Sequence, residues 1–455
     1  MAIHSRASLV IFGSAALLAS AMAVKIAGND VPAELRPIPD ATGSVQTVTT
    51  NDTFDTDNPF FQSLGTNGRA CATCHTASNG WTVTPSSLQQ RFAASDGLDP
   101  VFRPNDGATC PSADVSTVDA RRTAYALLLA KGLIRVSLPV PSNAEFTVVE
   151  IDDPYQCATP FELGLYRRPL PSTNLRFLST VMWDGRETAP RQSIENDLLS
   201  QARDATLGHA QATMAPPVSV LKQIVDFESG LFTAQVRDRD AGSLTADGAL
   251  GGPFFLAQQP FFIGINDPLG QNPTGAAFDP HVFTIFNPWV MDADRDPSIA
   301  RARRSVARGQ EIFNTRPISI TDVGGLSDVV GPMTGTCSTC HDTPNAGTHS
   351  VSMPLNIGTS DASRRTPDLP LYTLRCSNGQ EIRTSDPGRA MITGKCSDIG
   401  KLKGPTLRAL AAHAPYFHNG SAATLEDVVE FYDTRFHLGL KAQEKRDLVA
   451  FLRSL

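Results

Sequence analysis

The clearest pattern of apolar and polar positions along this chain is helical, and it lies toward the C-terminus. Ala302, Val306, Gly309 and Phe313 fall at i, i+4, i+7 and i+11, which is one face of an amphipathic helix. Thr424 and Asp427 have the character of an N-cap and its N3 partner. Leu425, Val428, Val429 and Tyr432 then share the inner face of the helix they open. A last helix over 442–455 buries Leu448, Phe451, Leu452 and Leu455. Earlier, residues 119–131 read as helix because Ala, Leu and Arg dominate them, and 191–209 read as a polar helix. Residues 146–151 alternate poorly and predict a short strand. Residues 24–58 are polar, with scattered Pro and Thr, and predict an extended lead-in. Residues 250–290 are rich in Phe, Gly, Pro and Asn; their aromatics argue against disorder and for an ordered irregular connector. Residues 405–420 predict a loop. The fold class is therefore mainly α with extensive coil.

At 455 residues the chain is too long for one small core. The texture change at the connector divides it into 24–230, 231–298 and 299–455. The net charge of -7, with no Lys/Arg-rich run, argues against a nucleic-acid partner. No internal stretch is apolar over the ~18 residues a membrane helix needs. The N-terminus changes the address. Arg6 precedes a short apolar run, and Ala21-Met22-Ala23 fits a cleavage site, so 1–23 reads as a signal peptide. The expectation is then export to a bacterial periplasm, with no integral membrane span once the signal is removed.

The chemistry enters with cysteine. Cys71-Ala72-Thr73-Cys74-His75 and Cys337-Ser338-Thr339-Cys340-His341 are two copies of C-x-x-C-H, the attachment signature of a c-type haem. Cys71 and Cys74, and again Cys337 and Cys340, can each bind one haem covalently, with His75 and His341 as proximal iron ligands. The cofactors predicted are two covalent haem c groups. Cys110, Cys157, Cys376 and Cys396 remain, an even number in an oxidising compartment. Three pairings are open, and proximity favours Cys110–Cys157 with Cys376–Cys396. His281, His349, His413 and His418 sit in loops and read as hydrogen-bonding residues.

Four blocks in order make the chain resemble the bacterial dihaem cytochrome c peroxidase superfamily, which includes the MauG-type enzymes. They are the first C-x-x-C-H, then Trp183-Asp184-Gly185-Arg186, then the second C-x-x-C-H, then a C-terminal block. That block runs from Gly404-Pro405-Thr406-Leu407-Arg408 through Ala414-Pro415-Tyr416-Phe417-His418-Asn419-Gly420 to Tyr432. The resemblance implies two cytochrome c-like haem domains joined by the connector. It makes the N-terminal haem the site that meets hydrogen peroxide and the C-terminal haem an electron-transfer centre. It makes Trp183 the electron bridge between them; the alternative is a packed aromatic. It places Tyr432 where ordinary peroxidases carry a Met ligand and MauG-like members a Tyr. Met353 and His437 compete for that role, and a core Tyr is the plain alternative.

The chain departs from the family at the peroxide site. No Glu stands where the acid–base Glu is expected after Trp183, and His209 and Gln201 are the candidates to line the distal pocket. No distal His ligand follows the first motif, so the first haem is expected to be open. The resemblance also implies a possible calcium ion held by the backbone carbonyls of Pro169, His413 and Pro415. The implied activity is peroxide-dependent oxidation, with a redox partner (a small cytochrome c or copper protein) or a protein substrate as reductant. Oxygen chemistry at the open haem, and a purely electron-relaying protein, are the alternatives.

Overall fold

The helix Pro297–Thr315 starts at Asp296, whose carboxylate accepts from Ser298 N at 2.8 Å, with Pro297 in the first turn. Its buried face carries Val306, Gly309 and Phe313. It crosses the helix Ala442–Arg453 at Gly309, where a Cβ would stand 2.0 Å from the Asp447 carbonyl oxygen. The helix Leu425–Phe436 opens on the expected capping box: Asp427 N donates to Thr424 Oγ1 at 3.2 Å and Thr424 N donates back to the Asp427 carboxylate at 2.9 Å. Connector aromatics complete this core. Phe286 stacks on Trp289 with centroids 4.8 Å apart, and Phe283 meets Phe451 edge-on at 5.3 Å. Phe254 and Phe262 of the same segment remain exposed.

The computed structural model describes residues 31–51 and 53–455, and the expected signal segment lies outside the described residues. Pro32–Leu455 pack as one unit. Among the described residues no helix is long and apolar enough to cross a membrane.

The N-terminal part departs from expectation in several elements. The predicted lead-in contains the strand Gly43–Thr49, which pairs antiparallel with Leu231–Asp238, a strand the sequence reading missed. Its inward positions are Val45 and Thr47, and the buried surface is hydroxyl-rich. Thr233 Oγ1 lies 2.9 Å from both Thr47 Oγ1 and Thr173 Oγ1. A strand that buries paired hydroxyls reads as polar in sequence. The helices Ile194–Gly208 and Val218–Ser229 pack on each other nearby. The helix expected over 119–131 is two, Val118–Ala124 and Ala126–Lys131, broken at the buried Tyr125.

The strand Phe146–Asp152 appears where a short strand was expected, and it pairs antiparallel with Leu371–Cys376, which also pairs with Glu381–Thr384. This sheet joins early and late sequence directly. Disulfides Cys110–Cys157 and Cys376–Cys396 close loops of 47 and 20 residues beside it, the pairing that proximity favoured. Each restricts the unfolded chain by about 3–4 kcal/mol in the loop-entropy model. The described residues form a helical protein with small sheets and much coil.

Candidate haem-binding active site

The first motif forms a single tight turn, Cys71–Thr73, closed by Ala70 N donating to Thr73 Oγ1 at 2.9 Å. His75 Nδ1 lies 2.8 Å from the Trp81 carbonyl oxygen. A carbonyl only accepts, so Nδ1 carries the proton and Nε2 keeps its lone pair for a metal. The second motif repeats the device. Thr336 N donates to Thr339 Oγ1 at 2.9 Å, and His341 Nδ1 donates to the Gly347 carbonyl at 2.7 Å. Burial pushes the affinity of both imidazoles for a second proton below the ordinary value, although their carbonyl bonds oppose it. Both are therefore set in the neutral form that ligates iron.

Cys71, Cys74 and His75 face a cavity of ≈ 260 Å³ with Trp183, Gln201 and His209 in its wall. Apolar side chains such as Leu175, Leu178, Val181 and Leu198 make up much of the rest. Two thiols, an imidazole with a free Nε2 and an apolar slot fit a covalently held haem.

His209 caps the helix Ile194–Gly208. Its Nδ1 lies 2.5 Å from the Asp106 carboxylate, which leaves Nε2 without a partner among the described residues. Asp106 also pairs with buried Arg69 at 2.5 Å. Burial would raise the Asp106 carboxyl, but the hydrogen bonds and charges of His209 and Arg69 override it and hold it low. Two further cavity residues escaped the sequence reading. Glu228 is fully enclosed, has no side-chain partner among the described residues, and is pushed up to about 8 by burial. It occupies the apolar face of Val218–Ser229 with Leu221, Ile224 and Val225, and a charge on such a face is the signal that could have found it. Lys403 is buried as well, and burial lowers it to about 8.

Trp183 is pinned at both ends. Its Nε1 donates to the Arg168 carbonyl at 2.8 Å, and its own carbonyl accepts from Lys403 N at 2.8 Å. Its indole meets the His418 ring edge-on, with centroids 6.2 Å apart. The next residue, Asp184, is wholly buried and bonded to Arg167, which also holds Asp386 at 2.7 Å.

At the second motif, Cys337, Cys340, Tyr432 and Met353 share one apolar cluster. The Tyr432 hydroxyl has no hydrogen-bond partner among the described residues. Burial raises its proton affinity, and the Cys340 and Cys337 thiols add to this. His437 is exposed, in a left-handed C-cap outside that cluster. The hydrogen-bonding role expected of loop histidines holds for His281, on Asp279, and for His413, 3.1 Å from the Gly80 carbonyl. It does not hold for His349 and His418, which are buried with both ring nitrogens lacking hydrogen bonds.

Two of the three carbonyls expected to hold calcium, those of Pro169 and His413, accept hydrogen bonds from protein donors. That of Pro169 accepts from Thr82 Oγ1 at 2.7 Å, and that of His413 accepts from the Arg168 guanidinium at 3.0 Å. Arg168 also donates to the carbonyls of Lys131 and Val83. No cluster of three His, Cys, Asp or Glu side chains that could hold a metal ion occurs among the described residues. The Arg168 guanidinium supplies the positive charge that the carbonyls of Lys131, Val83 and His413 meet.

No family model matches the chain. A cytochrome-c peroxidase of Denitromonas iodatirespirans is 35% identical over 133 residues, covering 27% of this chain and 36% of the relative. One from Pseudomonas sp. (strain SCT) is 33% identical over 140 residues, covering 26% and 36%. The cytochrome c peroxidase of Escherichia coli (strain K12) is 39% identical over 88 residues, covering 19% of each chain. The aligned stretches thus span at most about a third of these relatives' own length. A solved MauG-like protein associated with microbial copper homeostasis aligns over 94% of both chains at 16% identity and a TM-score of 0.41. Over these stretches, and at the motifs they share, the chain is similar to the bacterial cytochrome c peroxidases.

Proposed function

We propose that this chain is a periplasmic dihaem c-type oxidoreductase that uses hydrogen peroxide at the haem of the first motif. The observation that carries the reading is the cavity in which Cys71, Cys74 and a prepared His75 share a wall with the His209–Asp106 couple. The first haem belongs to 24–230, the second to 299–455, and 231–298 connects them. A haem held by Cys71, Cys74 and His75 would supply the redox-active iron.

The protein side chains do the rest. His209 Nε2 takes a proton from peroxide, and Asp106 steadies the imidazolium through Nδ1. Gln201, two turns earlier on the same helix, orients the substrate by its amide. Glu228 is a protonated carboxyl in the same wall, able to return a proton. Trp183 is the aromatic through which electrons would cross from the second site, where His341 and Tyr432 would hold the iron. A phenolate-type ligand favours oxidised iron, which supports a MauG-like course with a protein side chain as reductant over a small cytochrome or copper protein.

Electronic absorption and EPR spectra of the purified protein, before and after one equivalent of peroxide, test this. One high-spin haem and a stable two-electron-oxidised species are expected. Two low-spin haems with no response to peroxide would overturn the reading in favour of an electron relay.

A further inference from the structure

We propose that the Lys403 ammonium is the anion-binding group of the large cavity, and that it takes a propionate carboxylate of the haem held by the first motif. This rests on the haem reading above and goes beyond it. Among the described residues four Lys or Arg side chains reach the cavity wall, and three are spent. Arg69 bonds Asp106 and the carbonyls of Pro100 and Val101. Arg168 bonds the carbonyls of Lys131, Val83 and His413. Arg408 bonds those of Leu455, Asn345 and Gly252.

Lys403 is only 7% exposed, and its Nζ makes no hydrogen bond or ion pair among the described residues. A buried ammonium without a counter-charge is costly and is normally paired. The wall's free carboxyl, Glu228, is not among the groups that shift Lys403; burial alone does. The tenant of the cavity brings the missing anion. A c-type haem is tethered by its vinyl edge, here at Cys71 and Cys74, and carries both carboxylates away from that edge. Lys403 comes from the other half of the chain. It also lines a small void of ≈ 10 Å³ with His349, Met353 and Gly404. Its backbone N–H holds the Trp183 carbonyl at 2.8 Å. The same residue would therefore clamp the first haem and fix the aromatic bridge.

The test uses the full haem-loaded protein. Lys403→Gln and Lys403→Arg are compared with wild type for haem content, for the propionate-bending band in resonance Raman spectra, and for the midpoint potential of each haem. The Gln variant is expected to keep both haems, to shift one propionate band, and to lower the potential of the first haem, since a nearby cation favours reduced iron. The Arg variant is expected to stay near wild type. An unchanged band and potential in a fully loaded Gln variant would overturn the proposal. A potential shift without a band shift would also overturn it, by assigning the cation to a diffusible anion. Should the Gln variant not accumulate, wild-type protein with ¹³C-carboxylate haem decides alone. Infrared splitting equal to that in water for both propionates counts against the clamp, and an altered splitting for one counts for it. Peroxide reactivity is not read, so a failed peroxidase reading leaves this result standing, whereas a wild type without covalent haem fails the haem reading itself.

Discussion

A histidine becomes a ligand or a proton carrier according to what its other nitrogen touches. His75 and His341 give Nδ1–H to backbone carbonyls, and His209 gives it to Asp106. All three therefore hold Nε2 free, but only His209 has a charge behind it. His209→Ala should slow the reaction with peroxide by about 10²–10⁴-fold in stopped-flow traces, the usual scale of a general acid–base. Asp106→Asn should fall between that and wild type while costing stability, because Arg69 is left buried without its partner, about 3–5 kcal/mol. A wild-type rate in His209→Ala would remove it from the chemistry. Glu228 carries a different signature. Its folded value of about 8 lies above the ordinary 4.5, so the native state holds this proton longer than the unfolded chain does. The stability it adds is full below the ordinary value and is lost as pH rises toward the folded one, at up to roughly 1.4 kcal/mol per pH unit. Thermal melts over that window should fall in wild type and stay flatter in Glu228→Gln; parallel curves would show that the carboxyl is compensated. The two C-x-x-C-H motifs were legible because their residues are contiguous. Asp106 and Lys403 were not, since an isolated carboxylate or ammonium acquires meaning only when folding buries it beside a cavity.

Elements were legible where one face is apolar and illegible where a polar face is buried. Val306, Gly309 and Phe313 mark a helix by period alone, and Leu448, Phe451 and Leu452 mark its partner. The strand Gly43–Thr49 hides because Thr47 faces inward and satisfies its hydroxyl on Thr233 and on the Trp81 indole N–H at 2.8 Å. Tyr125 broke a helix whose composition gave no warning, since its ring is taken by Phe102 at 5.3 Å. At Gly309 two effects oppose each other. Alanine is the better helix former by about 1 kcal/mol. Its Cβ would stand 2.0 Å from the Asp447 carbonyl oxygen and 2.6 Å from Phe451 Cβ, both on the opposing helix. Backbone cannot yield as a side chain tip can, so the helices must part, at about 1–3 kcal/mol. Overpacking should win, and Gly309→Ala should lower the melting temperature. A neutral or raised value would mean that the two helices slide freely.

At the scale of the whole molecule, early and late sequence are joined by backbone pairing and by buried charge. The strand Phe146–Asp152 lies on Leu371–Cys376, and Arg167 holds Asp184, beside Trp183, to Asp386. Arg168 completes the joint. Its backbone N donates to the His418 carbonyl at 2.6 Å, while its side chain reaches Lys131, Val83 and His413. A calcium ion and a guanidinium solve the same problem, the surplus of carbonyl oxygens where irregular segments meet. They differ in what removes them. Calcium leaves to a chelator; an arginine leaves only by mutation. Dialysis against EDTA should therefore leave the melting temperature and the haem spectra unchanged, and added calcium should not raise either. Arg168→Met should lower stability by about 2–4 kcal/mol in denaturant titrations, since charged hydrogen bonds are lost and carbonyls are left buried. Calcium cannot rescue that variant if the joint lacks a carboxylate to hold it. Loss of stability in EDTA, restored by calcium alone, would reinstate the metal and make Arg168 a bystander.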